Sequence, residues 1–264
     1  MAAAGAAGSG SEGAPQVTGT GRRRRLFVPR DRIADGRAQI GAADLHHLQH
    51  VLRLAPGAEL EVFDGVGGAY AARLAEEGGT LVLALGPRID APAPRARVHL
   101  AFALARGERC DLVVQKATEL GVVGLSPFEA ARSMVRLDAA RGAERARRWR
   151  RIAAEAARQC GRADVPVVDA PAPLGRVLAL APEGFRKVLF YEGGGEPLAD
   201  VVDRAAPGHL LLVGPEGGFA QEEVEACLAA GARLATLGPR VLRFETAGIV
   251  AAALVQHLAG DLGG

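Results

Sequence analysis

From Val98 onward the chain alternates short unbroken apolar runs with longer stretches in which apolar residues recur every three or four positions. VHLAFAL, VGLSPF, VPVVD, KVLFY, HLLLV and RLATLG are the runs, and ERCDLVVQKATEL, RARRWRRIAAEAARQCG, QEEVEACLAAG and ETAGIVAAALVQHLAG carry the helical spacing. Apolar strands separated by helices predict a mainly parallel α/β sheet covered on both faces. Gly121, Gly161 and Gly231 stand where a left-handed residue ends each of three helices.

Before Val98 the rhythm is different. RLFV, AELEVFDG (58–65), AYAARL (69–74) and TLVLAL (80–85) are strand-like and joined by glycine-rich turns such as DGVGG. One helix, ADLHHLQHVLRL, interrupts them, and the whole predicts a small β-barrel. GPRIDAPAPRARV (86–98) is dense in proline and glycine and reads as a linker. The expected division is a tail over 1–21, a first domain over 22–90 and a second over 91–264. The tail is rich in Ala, Gly and Ser, lacks the basic start and apolar centre of a signal peptide, and is expected to be disordered.

Composition narrows the class. With 32 basic and 30 acidic residues the net charge is +2, so bulk charge does not single out nucleic acid. Lys116 and Lys187 are the only lysines; arginine suits phosphate binding, but a GC-rich genome gives the same bias and takes the larger share. The three cysteines, Cys110, Cys160 and Cys227, form no CxxC pair and indicate neither zinc nor a disulfide framework. A reduced, cytoplasmic chain is expected, with no membrane span, because no apolar run nears about 20 residues.

One strand runs into a glycine loop and an acidic helix, HLLLVGPEGGFAQEEVEACLAAG. Ligands bind at the carboxyl ends of strands in such sheets. The loop lacks the Lys-Ser/Thr of a Walker motif, and Gly214, Gly217 and Gly218 do not make G-x-G-x-x-G. Glu222 and Glu223 complement the helix dipole themselves and would repel a phosphate. ATLGPRVLRFETAG (235–248) repeats the layout, and FYEGGGEP (190–197) again follows an apolar strand. A plain turn explains any one loop; three at one sheet edge suit an adenosine-type ligand with a small charged tail.

VGPEGGF with LGPRVLRFETA resembles the knotted SPOUT methyltransferases, and within them the RsmE-type enzymes that methylate N3 of a uridine in 16S ribosomal RNA. RLFV, HHLQHVLRL and FDG match their RNA-binding PUA-like domain; QKATELGV, RSMVRLD and RWRRIAAEAARQCGR match their middle. The resemblance implies a trefoil-knotted, mainly parallel SPOUT domain behind a smaller PUA-like β-barrel. It also implies a homodimer acting on 16S ribosomal RNA or the small subunit, with S-adenosyl-L-methionine as cofactor. Gly214, Glu216, Gly217, Gly218, Leu237, Gly238, Val241 and Leu242 would line the cofactor pocket. Ala220 stands where a Ser cap is expected, forgoing about 1 kcal/mol. Phe244 replaces a small residue, a departure that bears on the substrate side of the pocket.

Methyl transfer to N3 requires loss of its proton, with a cation beside the anion or a carboxylate to take the proton. Arg243 is the candidate for positioning and anion stabilisation and Glu245 for base, although Glu245 and Thr246 equally suit capping of the last helix. Arg25, Phe27, Arg53, Arg132 and Arg162 are the candidate RNA contacts, and Ser133 is expected at the RNA or the partner subunit. The other arginines of the long helix are expected to be solvated, with pairs such as Glu144–Arg148 and Glu155–Gln159. His46 and His50 share a helix face, but His47 stands where a zinc helix needs Glu, so no metal is expected. Two alternatives stay open: a knotted methyltransferase with another RNA target such as a ribose 2′-hydroxyl, and a catalytically silent RNA-binding or assembly protein.

Overall fold

The computed structural model describes residues 24–91 and 94–263. The expected tail and Arg22, at the head of the arginine run, lie outside the described residues. Six strands build a first sheet: β1 (Arg25–Phe27), β2 (Ile33–Ala34), β3 (Arg37–Ala38), β4 (Glu59–Phe63), β5 (Ala69–Glu77) and β6 (Thr80–Ile89), in the order β1-β4-β5-β6-β3-β2. Period-2 alternation sends Leu60, Val62, Leu74 and Leu83 to one face, where Leu48 covers them. The covering helix is shorter than expected. Regular α1 (Ala42–His46) passes into a π-helical turn over His47–Val51, and Arg53 turns the chain out with a φ of 50°. The expected linker is also partly strand, since β6 runs through Gly86 to Ile89.

The second sheet has eight strands: β7 (Val98–Ala103), β8 (Gly124–Glu129), β9 (Val167–Val168), β10 (Ala172–Pro173), β11 (Arg186–Phe190), β12 (Glu196–Pro197), β13 (His209–Val213) and β14 (Ala232–Thr236). Every pairing in it is parallel. The order is β10-β8-β7-β13-β11-β14-β12, with β9 beside β8. The helices are α2 (Arg109–Glu119), α3 (Ala139–Cys160), α4 (Leu174–Ala179), α5 (Leu198–Val201), α6 (Gln221–Ala229) and α7 (Phe244–Ala259). Alternation along β7 divides two cores. Val98, Leu100 and Phe102 meet α2, α3 and α7, whereas Ala101 and Ala103 meet α4 and α6.

Helix α3 begins at Asp138, whose carboxylate accepts the Arg141 N–H at 2.8 Å, and ends at left-handed Gly161. Its buried stripe, Ala146, Trp149, Ala153 and Ala157, keeps helical spacing. Trp149 Nε1 donates to Asp111 at 2.8 Å and docks α3 on α2.

The two sheets are bonded to each other. Gly65 and Gly67 donate to the Ala163 carbonyl at 3.1 and 3.2 Å, and Val165 donates back to Gly65 at 2.9 Å. Phe63 and Ala69 of the first sheet pack with Ala157 and Ala163 beyond the second. Arg25 crosses the seam, pairing with Glu61 at 2.7 Å and donating to the carbonyls of Ala157, Arg158 and Arg162.

Candidate functional site

Strands β13, β11 and β14 lie side by side, and their ends are level: Phe190 is in register with both Val213 and Ala235. Each strand is short and apolar because both faces are covered; all five residues of β13 are buried. The loops that follow, 191–195, 214–220 and 237–243, therefore emerge at one height and line a cavity of about 710 Å³. Its size is ordinary for a small-molecule site.

All eight residues expected to hold a cofactor, Gly214, Glu216, Gly217, Gly218, Leu237, Gly238, Val241 and Leu242, line this cavity, and Gly193 and Gly194 of the first loop join them. Two glycines are required by close quarters. A Cβ on Gly195 would lie 2.8 Å from the backbone of Ala235. Gly218 has a φ of 70°, and a Cβ there would meet the Glu192 carboxylate. Alanine at the α6 N-cap offers no acceptor, but Glu223 supplies the other half of the cap. Its carboxylate accepts from the Ala220 N–H at 2.9 Å and from the Ala131 N–H at 2.8 Å.

The polar lining is chiefly acidic and backbone. Glu192 and Glu216 line the cavity with Arg240 and Thr236. Glu216 is ion-paired with Arg109 at the start of α2, and Arg132 Nη1 donates to the Gly217 carbonyl at 3.1 Å. Thr236 Oγ1 accepts the Gly238 N–H at 3.1 Å and braces the third loop. Glu192, Arg240 and Arg109 were not singled out by sequence. The signal for the first two was a charge inside a glycine loop; nothing local marked Arg109.

The catalytic candidates part company with this cavity. Arg243 is exposed and lines no wall of it; its carbonyl accepts the Ala247 N–H at 2.8 Å as α7 begins. Glu245, in the first turn of α7, lines a second cavity of about 470 Å³ with Arg109, Asp111, Leu112, Gln115 and Ile152. Its Oε2 is out of solvent without a hydrogen-bond partner among the described residues, an unfavourable arrangement for an acceptor. Phe244 corrects an expectation. It is buried, lines the larger cavity and packs on Phe102, with ring centroids 6.3 Å apart. The substitution therefore bears on the wall of the large cavity, while the next residue faces the small one.

The expected RNA contacts divide. Arg53 is exposed on the first domain. Phe27 packs on Phe63 at 5.4 Å, and Arg132 holds the glycine loop. Arg25 and Arg162 are turned inward. Arg162 donates to the carbonyls of Thr118 and Val122 and pairs with Asp164 at 2.6 Å, with 11% of its side chain exposed; Arg25 is 8% exposed. Side chains so engaged bind their own chain. Ser133 is also inward, donating to Leu104 O at 3.2 Å. On α3, Arg148 reaches Asp111 at 2.6 Å, not Glu144, and Glu155 pairs with Arg158 at 2.5 Å. Away from the cavities, Ser126 Oγ donates to Asp169 at 2.5 Å and lies 2.8 Å from His99 Nε2. No group of three or more potential metal ligands gathers among the described residues, and none of their helices is long and apolar enough to cross a membrane.

Residues 91–256 match the RNA methyltransferase domain family, and residues 40–84 match the RNA methyltransferase PUA domain. The chain is 36% identical over 217 residues to ribosomal RNA small subunit methyltransferase E of Mycobacterium bovis, covering 80% of this chain and 83% of that protein. The Synechocystis protein of the same name is 31% identical over 241 residues, covering 89% and 77%. Among solved structures, ribosomal RNA small subunit methyltransferase E from Neisseria gonorrhoeae bound to S-adenosyl methionine superposes with a TM-score of 0.76 at 28% identity, over 89% of this chain and 98% of that one. A putative methyltransferase from Legionella pneumophila in complex with SAM gives 0.80 at 29% identity, over the same shares.

Proposed function

The chain belongs to the RNA methyltransferase family, and from that premise we propose that it methylates N3 of a uridine in 16S ribosomal RNA with S-adenosylmethionine. The observation that carries the reading is the set of three level glycine loops around a cavity of about 710 Å³. The residues present fit this cofactor. Apolar Phe190, Val213, Leu237 and Phe244 suit a purine; Glu192 and Glu216 suit a cationic ligand with an ammonium and a sulfonium; Arg240 suits a carboxylate. The lining holds no lysine to serve a phosphate.

When bound, S-adenosylmethionine would supply an electrophilic methyl group carried on a sulfonium. The protein's task is then positioning and proton management. Glu245 accepts the N3 proton, and Arg243, exposed two residues before it at the start of α7, would supply the cation for the negative charge left on the base. Glu216, held by Arg109, and Gly217, held by Arg132, keep the second loop in place.

The knot belongs to this reading. It is supported by the path of the chain, which leaves β14 beyond β11 and returns to pack α7 on β7 and β13. A homodimer is what the family resemblance implies, and the exposed Leu254 of α7 is available to such a contact. The PUA-like barrel and the site of action, ribosomes of the cytoplasm, complete it.

Nucleoside mass spectrometry of small-subunit RNA from cells with and without the gene tests the activity. The reading requires 3-methyluridine to vanish without the gene, to return with the wild-type protein and to stay absent with Arg243→Ala. Loss of another methylated nucleoside, such as a 2′-O-methyl one, would move the target from N3. An unchanged profile from a protein that fails to bind the cofactor would leave an RNA-binding or assembly role.

A further inference from the structure

We infer that the cavity of about 470 Å³ between α2, α3 and the first turn of α7 receives the target uracil, and that Gln115 reads it. The inference rests on the methyltransferase activity proposed above and adds where the base goes and what distinguishes it.

Two features set this cavity next to the cofactor cavity. The ion pair of Arg109 with Glu216 spans them, since Arg109 lines the smaller and Glu216 the larger. At the start of α7 the adjacent residues Phe244 and Glu245 line one each. A base in the small cavity therefore lies beside the cofactor cavity. RNA-modifying enzymes need such a place, because a base within a stack offers no reactive edge.

The walls suit a flat imide. Leu112 and Ile152 provide apolar surface for the ring faces. Asp111 is already engaged by Trp149 at 2.8 Å and Arg148 at 2.6 Å, and Arg109 by Glu216. Gln115, exposed one turn after Asp111 on the same face of α2, and the Glu245 carboxylate, whose buried Oε2 has no partner among the described residues, are the polar groups left to meet a ligand. Uracil presents a carbonyl, the N3–H and a second carbonyl along one edge. The Glu245 carboxylate accepts the N3–H, and the Gln115 amide donates to a flanking carbonyl. Cytosine sets an acceptor at N3 against that carboxylate and is disfavoured, because a site built to pair polar groups rejects a base that leaves them unpaired.

The test uses the full-length protein and small ribosomal subunits from cells lacking the gene. Methyl transfer is read by nucleoside mass spectrometry, cofactor affinity by titration calorimetry with S-adenosylhomocysteine, and folding by thermal melting. Gln115→Glu keeps the volume and removes the donor; Leu112→Trp fills the cavity. Both positions are exposed, so both variants are expected to melt as the wild type does. Each should lower kcat by about tenfold or more with the cofactor Kd within about twofold of wild type. Wild-type transfer rates in either variant overturn the pocket and leave the methyltransferase activity standing. Parallel loss of cofactor affinity also overturns it, by assigning these residues to the larger cavity. A wild-type protein that binds the cofactor but modifies no uridine overturns the proposed activity and the pocket with it.

Discussion

The seam between the two sheets and the open edge of the parallel sheet are built from the same materials, glycine turns and arginine side chains, to opposite ends. At the seam, Gly65 and Gly67 donate to Ala163, Val165 donates back, and Arg25 and Arg162 together reach five main-chain carbonyls and two carboxylates. At the open edge, the glycine loops surround a cavity that Arg240 helps to line, while Arg109 at Glu216 and Arg132 at Gly217 hold the second loop. Residue type does not separate a fastener from a site. What separates them is whether the polar groups already have partners, because a buried group without one is costly unless a ligand supplies it.

The largest expected effect breaks the seam. Arg25→Ala leaves Glu61 and three carbonyls without their cation at a position only 8% exposed, and should cost about 3–5 kcal/mol in chemical denaturation. A loss under about 1 kcal/mol would remove Arg25 from the fasteners. Gly218→Ala attacks the open edge instead. A left-handed alanine costs about 1–2 kcal/mol, and its Cβ displaces Glu192. The cofactor Kd, measured by calorimetry, should rise by about tenfold or more, beyond what the modest stability loss explains.

Acid is expected to act on the sheet away from both places. Burial holds the His99 and His209 imidazoles below the usual histidine range. At His209, Nε2 accepts the Asp203 N–H at 3.2 Å, a bond open only to the neutral ring. A folded-state pKa below the unfolded value means that the unfolded chain binds more protons, so stability falls as pH drops below about 6.5. Denaturation midpoints between pH 8 and pH 5.5 should decline, with a shallower decline in His209→Gln. The smallest stability effect is at Arg109→Ala, whose ion pair is about half exposed on both sides. The melting temperature should shift by less than about 1 kcal/mol would produce, while the cofactor Kd rises severalfold as the second loop loses its brace. Equal loss of stability and affinity would make this pair a fastener too.

Much of the site was legible because its signals are local. Four consecutive apolar residues before Gly214, the paired Gly217 and Gly218 and the repeated Gly-Pro of the third loop are each signals within one strand–loop unit, as are the alternations that form β4 to β6. The cofactor candidates gathered in one cavity for that reason. Glu192 and Arg240 were passed over because a charge in a loop has no period, and Arg109 because its partner is 107 residues away. The apolar spacing after Ile40 predicts a longer helix than the one formed, since that spacing continues past the π-helical turn where the backbone departs from it.

By itself, the sequence determined the strands, the helices and the loops that follow them, because apolar periodicity, caps and glycine conformations act over a few residues. It also carried the family, since the motifs recur in order along the chain. Only the tertiary structure decided what the arginines do and which cavity each of two neighbouring residues faces. Arg25 and Arg162 occupy family motifs yet bind their own backbone, Arg25 through carbonyls 132 to 137 positions away. Phe244 and Glu245 are adjacent in sequence, but helix geometry turns successive side chains by roughly 100°, and packing against Phe102 sends one to the large cavity and leaves the other to the small.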